Sequence, residues 1–132
     1  MDTNLPQEKE APFKEEGYLL MAAVFEVHSE NGGGLAEEVY QESLQIELAD
    51  RGIPFIAKQE IAIFYKGREL TKRYIPDLYV FGGIVVELKA VSQLLTEHTG
   101  QLMNYMRLTK KRVGYLVNFG PLKAVEWKRF II

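Results

Sequence analysis

Two short apolar runs, residues 75–80 and 84–89, flank Phe81-Gly82-Gly83. Runs of this length broken by paired glycines read as the two strands of a hairpin. The second run, Ile84-Val85-Val86-Glu87-Leu88-Lys89, is apolar enough to be buried, yet it carries Glu87 and Lys89. Charged side chains are almost never fully buried unless paired. Residues two apart on a strand share a face, roughly 6–7 Å apart, so Glu87 and Lys89 point the same way. Asp77 lies on the preceding strand, and the hairpin register decides whether it joins them. A two-residue turn at Gly82-Gly83 sets Asp77 opposite Leu88, on the wrong face. A three-residue loop, Phe81 to Gly83 with a glycine in the left-handed conformation, sets it opposite Glu87. The two Cβ atoms would then be about 5 Å apart. The spacing predicts this odd-length connection or an equivalent bulge.

Pro76-Asp77 followed by Glu87-Leu88-Lys89 on the next strand resembles the PD-(D/E)XK nuclease superfamily. Gly34-Leu-Ala-Glu37-Glu-Val-Tyr40 is similar to the GxxExxY signature of a bacterial and archaeal family placed in that superfamily. Gln101-Leu-Met-Asn-Tyr105 resembles the QxxxY element of its exonuclease-like branch. The three matches occur in the expected order, over about residues 17–120.

The chain has 132 residues, enough for one domain with a sizeable core. Hydrophobic residues make up 47% and charged residues 26%, the balance of a soluble globular protein. No apolar run is long enough to span a bilayer, and the polar, acidic residues 1–16 do not form a secretory signal. The absence of cysteine excludes disulfides and thiolate metal sites and fits a cytoplasmic protein. A net charge of −2 counts against tight, non-specific binding of nucleic acid by the whole surface. It leaves room for a local basic surface.

Residues 1–14 carry many charges and two prolines, and read as a mobile acidic tail. A helix is expected over about 15–28, with Leu19, Ala22, Ala23 and Val27 on its buried face. A second follows Asn31-Gly-Gly-Gly34, over about 35–51, and places Glu37 between Leu44 and Leu48 on the apolar side. Glu37 there is either favoured by the positive end of the helix dipole or kept for chemistry. Tyr40, on the same stripe, reads as core with a satisfied hydroxyl. Residues 55–65 read as a strand, turned at Lys66-Gly67 into a hairpin with 69–74 that flows on into 75–80. Lys58, Lys66, Arg68, Lys72 and Arg73 cluster about that hairpin, as a solvated face or as contacts to phosphates. A helix over about 94–109 lines up His98, Gln101, Leu102, Tyr105 and Met106 on one face. Gly100 inside it implies close packing or substrate approach. Strands are expected over 113–119 and 125–132. His28 reads as a helix-end cap or packed residue, and Trp127 as core or dimer interface. The order of elements gives a single-domain α/β/α sandwich about a central mixed sheet over residues 15–132. The resemblance implies the same restriction-endonuclease-like fold.

Mg²⁺ takes hard oxygen ligands, usually one or two carboxylates with waters and a substrate phosphate. On this reading Asp77 and Glu87 are those carboxylates, with Mn²⁺ an alternative ion. The Leu88 carbonyl is a further ligand, and Glu37 a ligand or the orienter of a metal-bound water. Lys89 faces the attacking water or the phosphate, as general base or as charge stabiliser. The branch resembled implies that Gln101 and Tyr105 support the site. The expected function is metal-dependent hydrolysis of nucleic acid, DNA above all. The alternative is a catalytically silent module on the same scaffold that binds nucleic acid or a protein partner, or a homodimer built on the last strand.

Overall fold

A computed structural model describes residues 12–132. The expected acidic tail lies outside the described residues as far as residue 11. Pro12 and Phe13 form a turn into the first helix. The Arg129 guanidinium donates to the Pro12 carbonyl at 2.5 Å, so this end of the chain is fastened to the last strand. The elements are α1 (Lys14–Asn31), α2 (Glu37–Asp50), β1 (Phe55–Ala57), β2 (Ile61–Tyr65), β3 (Arg68–Tyr74), β4 (Leu78–Val80), β5 (Ile84–Lys89), α3 (Thr96–Thr109), β6 (Val113–Asn118) and β7 (Glu126–Ile131).

Five strands form one sheet in the order β1-β4-β5-β6-β7, and β2 and β3 form a separate hairpin arm. β5 and β6 run parallel, as the helical crossover α3 between them allows. The other neighbours in the sheet are antiparallel. The period-2 alternation of β5 sorts its side chains between two cores. Ile84, Val86 and Leu88 join α1 and α2 on one face. Val85 faces the other way, with Leu102 and Met106 of α3 and Ile63 and Tyr74 of the arm. This is the three-layer sandwich expected, with the sheet in the middle and the arm sharing a layer with α3.

Three local expectations need correction. Residues 55–65 are not one strand. Lys58 adopts a left-handed backbone (φ 56°), which breaks the run and sends β1 to the main sheet and β2 to the arm. The buried stripe of α1 is also turned from the one expected. Gly17, Leu20, Met21, Val24 and Val27 face the core with Ala23, while Leu19 and Ala22 are exposed. The cause lies at Gly17: a Cβ there would sit 1.9 Å from the Tyr115 hydroxyl. Only this glycine's face can approach the sheet so closely. Gly100, in contrast, faces open space, with nothing within 4 Å of a Cβ built on it, so close packing does not explain it.

One polar side chain is fully buried at the end of β6. Asn118 donates to the Val91 carbonyl (2.9 Å) and to Glu126 (3.0 Å). Its oxygen accepts the N–H groups of Val91 (2.9 Å) and Gly120 (3.0 Å). Glu126 in turn accepts the Leu94 N–H at 2.9 Å. The segment leading from β5 into α3 is thereby tied to β6 and β7.

Candidate active site

The β4–β5 register is Leu78 with Val86, Tyr79 with Val85 and Val80 with Ile84. Continued by one residue, it sets Asp77 across from Glu87, as the three-residue loop requires. Phe81 (φ 57°) and Gly82 (φ 66°) are both left-handed, so the loop uses one glycine and one residue that is not. Asp77 lies just beyond β4, and its carboxylate takes over the ladder. Oδ2 accepts the Leu88 N–H at 2.7 Å, and Oδ1 meets Lys58 Nζ at 2.6 Å. In a strand a residue's N–H and C=O point to the same edge, so the Leu88 carbonyl opens towards the same gap. The Lys58 ammonium is well exposed, and a pair of that kind contributes little net stability.

Glu87 shares its face of β5 with Lys89. Its carboxylate accepts a 2.7 Å hydrogen bond from the Tyr74 hydroxyl. The Tyr74 ring is buried and stacks on Tyr105 of α3, with centroids 4.3 Å apart and planes 6° from parallel. Burial raises the Tyr74 pKa, and Glu87 raises it further, so this hydroxyl remains a donor. Glu87 itself is pushed up to about 7 by burial, with the Asp77 carboxyl adding to the rise and Tyr74 and Lys89 opposing it. A folded-state value above the unfolded one means that the folded state holds the proton longer. The stabilising contribution is whole below about pH 4.5 and disappears as pH rises through about 7. In EDTA, urea unfolding of the parent protein should show stability falling across that window, by on the order of 2–3 kcal/mol. Glu87→Gln should fall distinctly less there, with Glu37 contributing the remaining slope; equal slopes in the two proteins would contradict this account.

α3 closes the other side. Gln101 and Tyr105, one turn apart, line a cleft of about 220 Å³ together with Glu87, Lys89 and Tyr74. His98 lies in the same wall, with Nδ1 accepting the Leu95 N–H at 3.0 Å as a cap of the helix.

Glu37 comes from the opposite layer. The stripe Tyr40, Leu44 and Leu48 of α2 is fully buried, and Glu37, one turn earlier, is where that stripe leaves the core. Its residue is exposed overall, but the carboxyl borders a second cleft of about 400 Å³ shared with Asp77 and Lys58. Burial of the carboxyl and the nearby Asp77 raise its pKa, while Lys89 and Lys58 lower it. The two clefts therefore flank the Asp77–Glu87 pair, with Lys89 close to both Glu37 and Glu87. Tyr40 fixes the start of α2: its hydroxyl donates to the Gly32 carbonyl (2.6 Å) and accepts the Leu35 N–H (3.1 Å). Its ring stacks on Phe119 at 4.5 Å. The glycine-rich turn is packed backbone to backbone, and a Cβ at Gly33 would sit 2.1 Å from the Pro121 carbonyl. We expect Tyr40→Phe to lose about 1–2 kcal/mol in denaturant unfolding, since a buried carbonyl and N–H lose their shared partner. His28 belongs to this packing too, with Nε2 2.9 Å from the Pro121 carbonyl.

Among the described residues, no group of three or more Asp, Glu, His or Cys stands close enough to hold a metal unaided. The donor set nevertheless suits a hard divalent cation that keeps waters, because two carboxyls meet beside a backbone carbonyl. Burial is the main reason that the Glu87 pKa is raised, and a cation held beside it would lower it again.

Sequence reasoning missed two residues of this cluster, Tyr74 and Lys58. Tyr74 had a usable signal: it ends the strand before Pro76-Asp77, at a position able to face Glu87. Lys58 had none, because its approach to Asp77 depends on the left-handed kink.

Comparison with known proteins agrees with this fold. A solved structure described as "Crystal structure of SSO0001" superposes with a TM-score of 0.55 at 19% identity, over 71% of this chain and 48% of that one. The likeness is one of fold, and the chain spans about half the length of that protein. A search of curated proteins found no match. No described helix is long and apolar enough to cross a membrane. The family model of the PD-(D/E)XK nuclease superfamily matches residues 14–130. That match takes in every residue of the two clefts, and the chain belongs to the PD-(D/E)XK nuclease superfamily.

Proposed function

We propose that this chain is a metal-dependent nuclease that hydrolyses phosphodiester bonds of nucleic acid, with DNA the expected substrate. One observation carries the reading: Asp77 and Glu87 are forced together at the end of β4 and β5, with Lys89 and Glu37 beside them. Such crowding costs stability, and a bound divalent cation would relieve it. Asp77, Glu87 and the Leu88 carbonyl would hold Mg²⁺ or Mn²⁺, with Glu37 as a further ligand or the orienter of a water. Bound there, the ion would make a water nucleophilic and stabilise the developing phosphate charge.

The chain's own groups have separable tasks. Tyr74 fixes one oxygen of Glu87 and leaves the other for the site. Lys89 supplies a fixed positive charge to the phosphate. Gln101 orients the water or a phosphate oxygen from across the cleft, and Tyr105 holds Tyr74 by stacking. The order and spacing of Gly34, Glu37 and Tyr40 support placing the chain in the GxxExxY branch.

The test is incubation with Mg²⁺ or Mn²⁺ and a panel of linear, circular, single-stranded and RNA substrates, with EDTA as control. Cleavage that EDTA abolishes supports the reading. No cleavage of any substrate defeats it and favours the silent module, whose supporting observation is the Lys58 ammonium already seated on Asp77. A homodimer is supported separately by an apolar groove of about 650 Å³ between α1 and β7, walled by Tyr18, Phe25 and Trp127. Sedimentation at several concentrations tests that pairing.

A further inference from the structure

The chain's charge is sharply divided. Residues 61–74 carry four lysines and arginines against one glutamate, and residues 107–111 carry three against none, a net of +6. Since the whole chain is −2, the remainder carries −8. These two basic segments, far apart in sequence, meet in space. The tip of the arm, at Gly67, shares a groove of about 460 Å³ with Arg107 and Lys110 at the end of α3. The base of the arm opens on the cleft, where Lys72 and Arg73 line the same wall as Glu87 and Lys89. β3 therefore runs from the cleft to the basic groove. Its seven residues (Arg68–Tyr74) span roughly 20 Å at about 3.3 Å per residue. Nucleic acid places one phosphate per about 3.4 Å along a strand, so the arm can follow about six.

A helix dipole is satisfied by one or two cations near its carboxyl end, which does not account for the lysines and arginines of the arm itself. Like charges gathered in this way repel one another, and an anionic polymer relieves that repulsion. The arm also carries exposed rings beside its cations: Phe64 is 49% and Tyr65 61% exposed. Rings so placed give unpaired bases a stacking surface.

We propose that the β2–β3 arm, with the end of α3, is the track that grips the sugar–phosphate backbone of the nucleic acid and leads it to the cleft. This rests on the nuclease reading for the cleft, but the grip can be tested without any cleavage. Lys66, Arg68 and Lys110 are exposed and lie away from the carboxylates. The experiment compares the parent chain with the triple variant Lys66→Ala, Arg68→Ala, Lys110→Ala. Binding of a fluorescein-labelled 20-nucleotide single strand, and of the matching duplex, is followed by anisotropy in EDTA across a salt series. The variant should bind at least about tenfold more weakly at 0.1 M salt, with the log–log salt slope reduced by about 2–3. In Mg²⁺ it should show a raised KM on the 20-mer and unchanged turnover of bis(p-nitrophenyl) phosphate, which is too short to reach the arm.

Equal binding and equal slopes in the two proteins overturn the track, as does failure of the parent to bind either oligonucleotide. Arm-dependent binding without cleavage leaves the track standing and removes only the nuclease reading. Cleavage by both proteins with the same KM keeps the nuclease and removes the track.

Discussion

Glu87→Gln should cut metal-dependent cleavage by about two to three orders of magnitude, while leaving the folded domain at least as stable as the parent at neutral pH. The two effects have opposite sources. Glutamine keeps the shape and one carbonyl oxygen, so the Tyr74 hydroxyl retains an acceptor where it now meets Glu87 at 2.7 Å. What is lost is the negative charge. In the cleft, a neutral amide is a poor partner for Mg²⁺, and removing one preorganised charge from a transition state commonly costs ~3–4 kcal/mol. In the fold, the same change removes a half-buried carboxylate whose pKa is raised first by burial and then by the neighbouring Asp77. Paired assays decide the matter: cleavage rate with Mg²⁺, and urea unfolding in EDTA. Retained cleavage in a folded Glu87→Gln protein would remove Glu87 from the chemistry. Loss of both cleavage and stability would make it a structural residue.

Asn118→Ala should be the most damaging of the substitutions considered for stability, at about 3–4 kcal/mol. The side chain is fully buried and makes four hydrogen bonds, two as donor and two as acceptor. Alanine would leave the Val91 N–H and carbonyl, the Gly120 N–H and part of Glu126 without partners. Each buried polar group left unsatisfied costs about 1–3 kcal/mol, reduced where water can enter. A loss near 3 kcal/mol should lower Tm by about 10 °C in a domain of this size. Calorimetry of the variant checks it, and a shift below 2 °C would show that these bonds are replaceable. Activity should fall as well, since Asn118 and Glu126 anchor the segment that delivers α3, with Gln101 and Tyr105, to the cleft.

The pairing of Asp77 with Glu87 was legible because strand alternation is a strict period of two. One charged pair inside an apolar run, together with two glycines, leaves few registers open. The helix of Gln101 and Tyr105 was legible for the same kind of reason. The phase of α1 was not. Its residues are apolar on several sides, so periodicity alone could not choose between Leu19 and Leu20. The choice was made across the chain, by Gly17 beneath the Tyr115 hydroxyl. The break at Lys58 has no glycine or proline to mark it, and its one sign is the polar run Lys58-Gln59-Glu60 that interrupts the alternation. Asn118 was hidden inside an apolar run, where a single amide gives no sign of four partners. Tyr74 and Lys58 illustrate a wider limit. Both act on the site through side-chain reach between separate elements, and only for Tyr74 does the local spacing hint at it.

Asp77 and Glu87 carry different obligations. One oxygen of Asp77 holds the Leu88 backbone N–H at 2.7 Å, so this carboxylate serves the sheet as well as the cleft. Glu87 serves the cleft at the sheet's expense. In a descendant copy released from the need to cut, drift would discard Glu87 first, since its loss is a gain in stability, and would be slow to touch Asp77. Among relatives of this chain, a retained aspartate at that position therefore says little about activity, whereas a retained glutamate on the next strand says a good deal.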